Sequence, residues 1–420
     1  MMDLAIPNTM ETEASEIGIA APHHIQGISD WLISQGLESA GFESILSGFA
    51  DRLNSLGFQI QRGMIAMRTL HPSVDALDYT WHRGGTIEAE NHTPDQLQNE
   101  SWLQSPLKYM FDTGAMVLRR RLTGLGAEVD LPLFKKLADE GSTDYYMRII
   151  EFDLTGSKDL ETGMVSSWTT DRPGGFGDEE IAVLDRLLPR LALTAKVRLT
   201  RDIAENVLDT YVGPEAGRRI MRGDIRRGAL DVIRAVIVYA DLRGFTSISD
   251  SVPGDRLAPM LDRYFEAMVP PITKRGGQVL KFIGDGLMAT FDLDGRERDS
   301  ICSDALQSAY EMIAGTAEIN AARRAAGLPT MDLDIALHLG DVFYGNVGAA
   351  DWLDFTVIGP TVNEASRIES LCEPLGHNVL VSETFAGAAV ACTGRLIPVG
   401  THQLRGVRHS QALYTIDTSS

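Results

Sequence analysis

The chain has 420 residues, more than one ordinary hydrophobic core encloses, so about two to three domains are expected. With 38 Lys and Arg against 58 Asp and Glu, its formal net charge is −20. This charge excludes the basic surface of a nucleic-acid-binding protein and argues against binding to an anionic membrane, although a small anionic substrate can still bind through metal ions. An apolar fraction of 44% excludes a wholly disordered chain.

The sequence contains no evident targeting or membrane segment. No stretch approaches the roughly 20 apolar residues needed to cross a bilayer. The first 50 residues lack Lys and Arg, whereas a secretory signal begins with basic residues. The three cysteines, Cys302, Cys372 and Cys392, are an odd number without the spacing of a disulfide framework or a zinc site. We therefore expect a cytoplasmic protein with reduced thiols.

The first 195 residues mix helical and strand patterns. Apolar residues at helical spacing predict helices within 26–60, and acidic residues begin a further helix over Asp178–Leu193. The strands expected here are Met64–Leu70, Met147–Phe152 and one that starts near Trp168 and runs into a Pro-Gly-Gly turn. Strands mixed with helices predict one α/β or α+β domain, and this layout, placed ahead of a second domain, resembles that of an α/β GAF-like domain. It predicts a regulatory domain over residues 1–195.

Three histidines are the most conspicuous polar residues of this half. His71, His82 and His92 could line a ligand pocket, but they lack the spacing of metal ligands. Ordinary packing or surface positions are the simpler interpretation, and no ligand motif accompanies them.

Residues 196–230 separate the two halves. They are charged and mostly helical in pattern, with an interruption at Gly213-Pro214. A helical signalling linker and a plain connector explain this pattern equally well.

Residues 231–420 alternate strands, helices and hairpins. The expected helices are Leu257–Ile272, Ser300–Ala326 and Pro360–Leu371. The expected strands are Ala235–Ala240, Gln278–Ile283, Leu287–Phe291, Leu333–Leu339, Val342–Val347, Thr356–Ile358, Asn378–Ser382 and Ala412–Ile416. Two hairpins are predicted, one turning at Gly284-Asp285-Gly286 and one at Gly340-Asp341. The order βαββαββαβ predicts an α+β sandwich of one sheet with helices packed on it.

Two carboxylates lie where strands end. Asp241 follows the apolar strand 235–240, and Asp285 lies at a hairpin tip. Alone, Asp241 could cap a helix and Asp285 could be ordinary turn chemistry. Together they suit a pair of hard cations held by carboxylates and substrate phosphates.

Two further segments carry polar groups suited to a nucleotide. A glycine turn between strand and helix, in Leu242–Thr246, can point backbone N–H groups at a phosphate. Asn363 and Arg367 are four residues apart, so they share one face of a helix. An amide there can orient a sugar and a guanidinium can bind developing phosphate charge. The alternative for the pair is an exposed Asn and a solvated Arg.

Taken together, these residues resemble the class III nucleotidyl cyclase catalytic domain. The matching region runs from about Arg234 to Ile416, and Tyr211–Gly228 resembles the segment that often precedes it. The specific segments are Ala240-Asp-Leu-Arg-Gly-Phe-Thr246, Lys281-Phe-Ile-Gly-Asp-Gly-Leu-Met-Ala289, His338-Leu-Gly-Asp-Val-Phe-Tyr-Gly-Asn-Val-Gly348 and Phe355-Thr-Val-Ile-Gly-Pro-Thr-Val-Asn-Glu-Ala-Ser-Arg367. The resemblance places the catalytic domain at 231–420.

The resemblance implies a role for each candidate residue. Asp241 and Asp285 match the aspartates that bind two Mg²⁺ or Mn²⁺ ions per active site. Asn363 matches the ribose-orienting asparagine, and Arg367 matches the arginine that stabilises the transition state. The substrate-binding positions are Lys281 and Thr356, which read the purine, and Leu242, Arg243, Gly244, Phe245 and Thr246, which surround the phosphates. All six motif positions hold a competent residue.

The purine-reading pair favours ATP. Lys281 can donate to adenine N1 and the Thr356 hydroxyl can accept from the exocyclic amine, whereas guanine presents a donor at N1. Many relatives have an aspartate where this chain has Thr356. The threonine resembles the subgroup that includes bicarbonate-responsive cyclases, which makes bicarbonate a candidate regulator.

The resemblance also implies a mechanism and an assembly. The ribose 3′-oxygen would attack the α-phosphorus in line and pyrophosphate would leave, with Arg405 or Arg408 as candidates to reach the outer phosphates. One chain holds one complete set of site residues, and the family shares them between protomers. We therefore expect a homodimer with shared active sites.

Three functions follow from this sequence, in order of support. The first is an adenylate cyclase with an N-terminal regulatory domain. The second is a guanylate cyclase, which Lys281 opposes. The third is a catalytically silent cyclase-like signalling module, which the complete set of six site residues opposes.

Overall fold

The computed structural model describes residues 22–69, 74–93, 99–152 and 163–416, with the side chains of 392–394 left aside. The chain divides into two compact units, Met1–Val207 and Leu208–Ser420. The division falls inside one long helix, α6 (Asp178–Val212). The boundaries expected from the sequence, 1–195, 196–230 and 231–420, stay predictions.

The N-terminal unit is built on a six-stranded sheet. Its strands are β1 (Ile60–Arg68), β2 (Ala76–His82), β3 (Glu88–His92), β4 (Val117–Arg121), β5 (Asp144–Glu151) and β6 (Gly163–Thr170). They lie in the order β3-β2-β1-β6-β5-β4, and every neighbouring pair is antiparallel. Of the two arrangements that the sequence left open, the unit is therefore α+β rather than α/β, and its assignment as GAF-like stays a prediction.

Helices pack on both faces of this sheet. They are α1 (Pro22–Leu37), α2 (Phe42–Ser55), α3 (Glu100–Leu103), α4 (Pro106–Thr113), α5 (Pro132–Asp139) and α6. On one face, α1, α2 and α6 bury an apolar cluster that includes Phe49, Trp168 and Leu187. On the other, α4 and α5 bury Met110 and Phe134 against β4 and β5. The helices predicted within 26–60 are confirmed, because α1 and α2 turn their apolar stripes to the sheet.

The C-terminal unit contains an eight-stranded sheet. Its strands are β7 (Leu230–Arg243), β8 (Gln278–Ile283), β9 (Gly286–Asp292), β10 (Asp332–Gly348), β11 (Leu353–Ile358), β12 (Val379–Ser382), β13 (Leu396–His402) and β14 (Gln411–Ile416). The order is β13-β14-β12-β10-β7-β9-β8, and β11 pairs with the last part of β10. Neighbours are antiparallel except β10 and β12. The expected α+β sandwich is confirmed for this unit.

Seven helices and a 3-10 turn complete the described part of this unit. They are α7 (Pro214–Met221), α8 (Phe245–Ser249), α9 (Gly254–Lys274), α10 (Arg298–Ala325), α11 (Pro360–Glu369), α12 (Cys372–Leu375), α13 (Glu383–Ala386) and the 3-10 helix Val390–Arg395. Helices α9 and α10 bury the main core on one face of the sheet, with Tyr264 and Met312 at its centre. Helix α11 packs on the opposite face through Ala365 and Ile368.

One predicted hairpin is wrong. The Gly340-Asp341 pair does not turn, because β10 runs unbroken from Asp332 to Gly348 and pairs with β7 straight through this point. The glycine instead allows α11 to pack closely on β10, because a Cβ at position 340 would lie 2.6 Å from the hydroxyl oxygen of Thr361 on α11. The second hairpin forms later, between β10 and β11.

Across the described residues, no helix combines the length and the hydrophobicity that a membrane crossing requires.

Candidate active site

The two predicted metal ligands lie together at one edge of the C-terminal sheet. Asp241 is near the end of β7, and Asp285 is in the turn between β8 and β9. Antiparallel pairing sets Ala240 opposite Leu287, which brings the turn beside Asp241. Burial raises the pKa of both carboxylates, and the backbone N–H of Leu242 opposes that rise in each of them. The hairpin thus holds the two acids side by side.

The glycine after Asp285 has a steric role. A Cβ at Gly286 would lie 2.5 Å from the carbonyl oxygen of Ala240 and 2.6 Å from a carboxylate oxygen of Asp241. Real side chains do not tolerate such distances. The Asp285-Gly286 pair is therefore more than turn chemistry, since the glycine makes room for the neighbouring acid.

Two acids that the sequence did not single out complete an acidic cluster of Asp241, Asp285, Asp334 and Glu369. Asp334 pairs in register with Asp241 across β10 and β7. Glu369 ends α11, and burial followed by the charges of Asp241, Asp334 and Asp285 raises its pKa to about 7. No spacing rule reveals these residues, because strand register and helix docking bring them to the site.

The electrostatics of this cluster suit a cation. Burial, followed by the nearby charge of Asp285, raises the pKa of Asp241 to about 6, and burial also raises the pKa of Asp285. The guanidinium of Arg243 binds both carboxylate oxygens of Asp334. Within the described residues, Asp241 and Asp285 have no ion-pair partner. Crowded carboxylate oxygens without a counter-charge are the ligand set that divalent cations prefer.

A cavity of about 430 Å³ brings together three other predicted residues, Lys281 of β8, Thr356 of β11 and Asn363 of α11. Its lining also includes Tyr239, Ile283, Met288, Val347, Asp354, Val357, Ile358, Val362 and Ser366. It does not include Asp241 or Asp285. The six motif positions therefore occupy two separate groups of residues within one chain, apart from Arg367.

The polar groups of the cavity differ in how they are satisfied. The Lys281 ammonium forms an ion pair with the carboxylate of Asp354, a residue the sequence did not single out. Thr356 is only 5% exposed, and its hydroxyl has no hydrogen-bond partner within the described part of the chain. A buried hydroxyl without a partner costs about 1–3 kcal/mol, so a ligand that bonds to it gains that amount.

Helix α11 positions Asn363 and Arg367 one turn apart. The helix begins with Pro360 at a position where its missing N–H costs nothing. Arg367 does not line the cavity. Its guanidinium lies 3.7 Å from the point that a Cβ of Gly406 would occupy, so the loop that carries the exposed Arg405 and Arg408 passes beside it.

The predicted phosphate segment, Leu242–Thr246, follows β7 directly. The side chain of Leu242 is buried in the core, and that of Arg243 is bound by Asp334. Gly244 has a φ of 89° and precedes the short helix α8, with Phe245 half-buried and Thr246 exposed. A phosphate here would meet backbone N–H groups rather than the Leu or Arg side chains.

Of the three histidines noted in the N-terminal half, His92 joins a group of potential metal ligands among the described residues. His71 lies outside the described residues, and His82 is half-buried. His92 forms an ion pair with Asp78, and Glu90 lies opposite Asp78 in the β2–β3 register. The ligand atoms of Asp78, Glu90 and His92 lie within 4.8 Å of one another. Histidine spacing could not reveal this group, because two of its members are acids paired across strands.

Comparison with known proteins places the candidate residues in a family. The family model for the adenylate and guanylate cyclase catalytic domain matches residues 231–418. These residues are a cyclase catalytic domain. The cyclase domain is similar to an adenylate cyclase of Anabaena cylindrica, with 36% identity over 165 residues, and to adenylate cyclase 1 of Rhizobium meliloti, with 30% identity over 185 residues.

These similarities cover only part of this chain and only part of each relative. The matches span 38% and 43% of this chain but only 32% and 27% of the relatives, so the chain spans about a third or less of their length. Among solved structures, the adenylyl cyclase CyaB from P. aeruginosa is 23% identical with a TM-score of 0.41, covering 46% of this chain and 97% of that chain. The guanylyl cyclase Cya2 is 29% identical with a TM-score of 0.39, covering 44% and 93%.

Proposed function

We propose that this chain is an adenylate cyclase that converts ATP into 3′,5′-cyclic AMP and pyrophosphate. The observation that carries the proposal is the cavity shared by Lys281, Thr356 and Asn363, in which the Thr356 hydroxyl is buried and has no partner within the described residues. Its volume of about 430 Å³ is within the range of small-molecule sites.

The choice of adenine rests on hydrogen-bond complementarity. The Lys281 ammonium has only donors, so it suits the N1 acceptor of adenine and opposes the N1 donor of guanine. The unpartnered Thr356 hydroxyl can accept from the exocyclic amine. Lys281 must loosen its ion pair with Asp354 to reach the base, and this exposed pair is weak enough to yield.

The remaining residues orient and stabilise the reacting groups. Asn363 lines the same cavity and would hold the ribose so that its 3′-oxygen faces the α-phosphorus in line. Arg367, one helical turn further, would bind the charge that develops on the α-phosphate. Removing such a donor from related sites costs about 100- to 1,000-fold in rate. The 3′-hydroxyl would give its proton to water or to a substrate phosphate, and its oxygen would bond to the α-phosphorus as the bond from that phosphorus to the pyrophosphate oxygen breaks.

The acidic cluster fits two divalent cations, Mg²⁺ or Mn²⁺, with Asp241 and Asp285 as ligands. Asp241 and Asp285 would hold the ions, whose charge would lower the pKa of the 3′-hydroxyl and neutralise the triphosphate. Within the chain itself, the backbone N–H of Leu242 favours the ionised form of both carboxylates, and Gly286 leaves room for Asp241. Arg243 neutralises Asp334, which leaves Asp241 and Asp285 for the ions.

We further propose that the active protein is a homodimer with shared sites. The cavity of one chain does not include the two metal ligands of that chain. Large apolar side chains are exposed beside the cavity, as expected of a surface that another protein covers. They are Phe282, Ile283, Phe343, Trp352, Leu353 and Ile358.

The N-terminal unit is proposed to be a GAF-like regulatory domain, joined to the catalytic domain through residues 196–230. Bicarbonate stays a candidate regulator, because Thr356 stands at the second purine-reading position. The cytoplasm stays the predicted location.

A product assay tests the proposal. The full chain is incubated with ATP or GTP and with Mg²⁺ or Mn²⁺, in the presence and absence of bicarbonate, and any cyclic nucleotide is identified by mass spectrometry. We expect cyclic AMP from ATP, with much less cyclic GMP from GTP. Cyclic GMP as the main product would show a guanylate cyclase. No product from either nucleotide under any condition would favour the silent module.

A further inference from the structure

One face of the N-terminal sheet carries a group of polar side chains centred on Arg62. Strand register defines the group. Arg62 of β1 lies opposite Thr169 of β6, which lies opposite Tyr145 of β5. Thr80 of β2 and Ser167 of β6 both lie opposite the residue two positions after Arg62. We refer to these five residues as the Arg62 site, and all of them lie on the face that α4 and α5 also cover.

Among the described residues, the Arg62 guanidinium is held by hydroxyl groups alone. It donates to the Ser167 hydroxyl at 3.3 Å and to the Thr80 hydroxyl at 3.3 Å, both at the long end of the hydrogen-bond range. Thr80, Tyr145, Ser167 and Thr169 are buried. The Thr169 hydroxyl has no hydrogen-bond partner among the residues described. An unpartnered buried hydroxyl therefore lies directly across from the guanidinium.

Arg62 differs from the other arginines of this sheet. The six strands carry six arginines, and the other five form ion pairs with carboxylates within 4.0 Å. These five are Arg68, Arg119, Arg120, Arg121 and Arg148. Within the described residues, Arg62 has no such partner. Arg62 is therefore the exception among the arginines of these six strands.

An unpaired charge in this position is costly. Burial lowers the pKa of Arg62, and the nearest ionisable groups, Tyr145, Asp78, Glu140 and Glu88, act on it only through space. Burial also raises the pKa of Tyr145 to about 12, so its phenol stays neutral and supplies no counter-charge. A guanidinium withdrawn from water requires a hydrogen-bonded anion to offset the loss of hydration. Among the described residues, no carboxylate lies within ion-pair distance of Arg62.

We propose that the Arg62 site binds a small ligand through an anionic oxygen group, a carboxylate or a phosphate. The guanidinium supplies the counter-charge and free N–H donors, and Thr169 supplies a hydroxyl donor from the neighbouring strand. The site lies wholly within the N-terminal unit, so the inference does not depend on which nucleotide the cyclase domain uses.

Anion binding to the full chain tests the inference directly. Acetate, bicarbonate and inorganic phosphate are compared with chloride at equal ionic strength, by thermal unfolding and by hydrogen exchange with mass spectrometry. We expect at least one of them to raise the unfolding temperature and to slow exchange in Ile60–Arg68 and Gly163–Thr170. Acetate acting without phosphate would identify a carboxylate, and the reverse would identify a phosphate.

Matched variants separate a binding site from a structural arginine. Arg62→Met should weaken anion binding about 10- to 100-fold, because a charged hydrogen bond is lost. Arg68→Met, on the same strand but paired with Asp75, should bind as the wild type does. Thr169→Val should weaken binding several-fold without lowering the unfolding temperature of the free protein, because its hydroxyl has no bond to lose.

Three results would overturn the inference. One is that no anion protects the protein beyond chloride. Another is that Arg62→Met binds anions as tightly as the wild type. The third is that Thr169→Val lowers the unfolding temperature of the free protein, which would show that the hydroxyl is already satisfied. If Arg62→Met does not fold, Thr169→Val and Arg62→Lys decide, and unchanged binding by both would also refute the site.

Discussion

The cyclase domain contains an acidic cluster and a cavity lined by Lys281, Thr356 and Asn363. Each of them leaves a polar group unsatisfied, but the kind of group differs. In the cluster, Asp241 and Asp285 repel one another in a half-buried place and have raised pKa values. In the cavity, Lys281 is already neutralised by Asp354, and the unsatisfied group is the neutral hydroxyl of Thr356. A counter-charge bound at the cluster contributes more binding free energy than a single neutral hydrogen bond formed in the cavity. We infer that the cluster provides rate and affinity through cations, whereas the cavity provides selectivity.

The largest predicted effect concerns the separation of these two regions within one chain. Asp241→Ala and Arg367→Ala should each reduce cyclase activity by at least about 100-fold. Mixing the two inactive chains should restore about a quarter of wild-type activity. About half of the dimers are then mixed, and each mixed dimer contains one intact site.

The matched control is a mixture of Asp241→Ala with Asp285→Ala. Both changes affect the metal half of a site, so no mixed dimer contains an intact one, and activity should stay absent. Recovery in this control, or none in the first mixture, would contradict shared sites. Activity is read as cyclic nucleotide formed per chain.

The second prediction tests the selectivity assigned to the cavity. Thr356→Val keeps the shape of the side chain but removes the hydroxyl, so the ratio of kcat/KM for ATP to that for GTP should fall about tenfold. The stability of the free protein should not fall, because no hydrogen bond is lost.

Thr361→Val provides the contrast. The Thr361 hydroxyl donates to the carbonyl of Asp341 at 2.7 Å, so this variant should lose stability and keep its preference for ATP. An unchanged ATP-to-GTP ratio in Thr356→Val would remove Thr356 from purine recognition. Steady-state kinetics with both nucleotides supply the measurement.

The third prediction concerns the repulsion within the acidic cluster. Asp241→Asn should raise the free energy of unfolding of the metal-free protein by about 1 kcal/mol at pH 7.5, a value reduced for partial exposure. The pKa of Asp241 is raised from 3.8 to about 6. Its ionisation therefore destabilises the fold increasingly between these two pH values, and fully above pH 6. The gain should therefore disappear as the pH falls below about 4.

Asp334→Asn should have the opposite effect, because it leaves the partly buried Arg243 without its partner. Urea unfolding in the presence of a chelator measures both variants. Equal destabilisation by both would mean that Asp241 is already compensated in the metal-free protein.

The smallest predicted effect concerns the support of the cavity. His338 of β10 is buried, hydrogen-bonds Ser382 at 2.8 Å and lies 3.2 Å from Glu364 of α11, the helix that carries Asn363. Burial lowers the pKa of His338, so the folded protein holds it neutral. Neutral His338 contributes less than about 1 kcal/mol to the free energy of unfolding. This contribution is fully present above pH 6.5 and is lost as the pH falls below that value.

His338→Gln should flatten that part of the stability profile. Unfolding by urea between pH 5 and pH 8, compared with the wild type, is the measurement. A profile of unchanged slope would show that another group titrates there.

Much of the fold and part of the site could be predicted from the sequence. Residues close in the chain share a hairpin or one helix face, so Asp285 beside Gly286 and Asn363 with Arg367 were visible as patterns. Asp334 and Asp354 were not, because strand pairing across long intervals of sequence brings them to Asp241 and Lys281. Local rules also failed at Gly340, where turn chemistry predicted a hairpin and the long pairing with β7 prevailed.

The N-terminal unit shows the same limit more strongly. The sequence predicted α1, α2, the start of α6 and strands close to β1, β5 and β6, but not β2, β3 or β4. The Arg62 site was not, because its members come from four strands and no single segment marks them.

The Lys281–Asp354 ion pair has a consequence for the order in which a nucleotide meets the protein. With its lysine neutralised, the empty cavity presents little net charge to a distant triphosphate. Long-range attraction must then come from cations held at Asp241 and Asp285. We expect the nucleotide to approach with its phosphates leading and its base to enter last, displacing Asp354 from Lys281. Encounter would then be fast and unselective, and adenine would be tested only at the final step of docking.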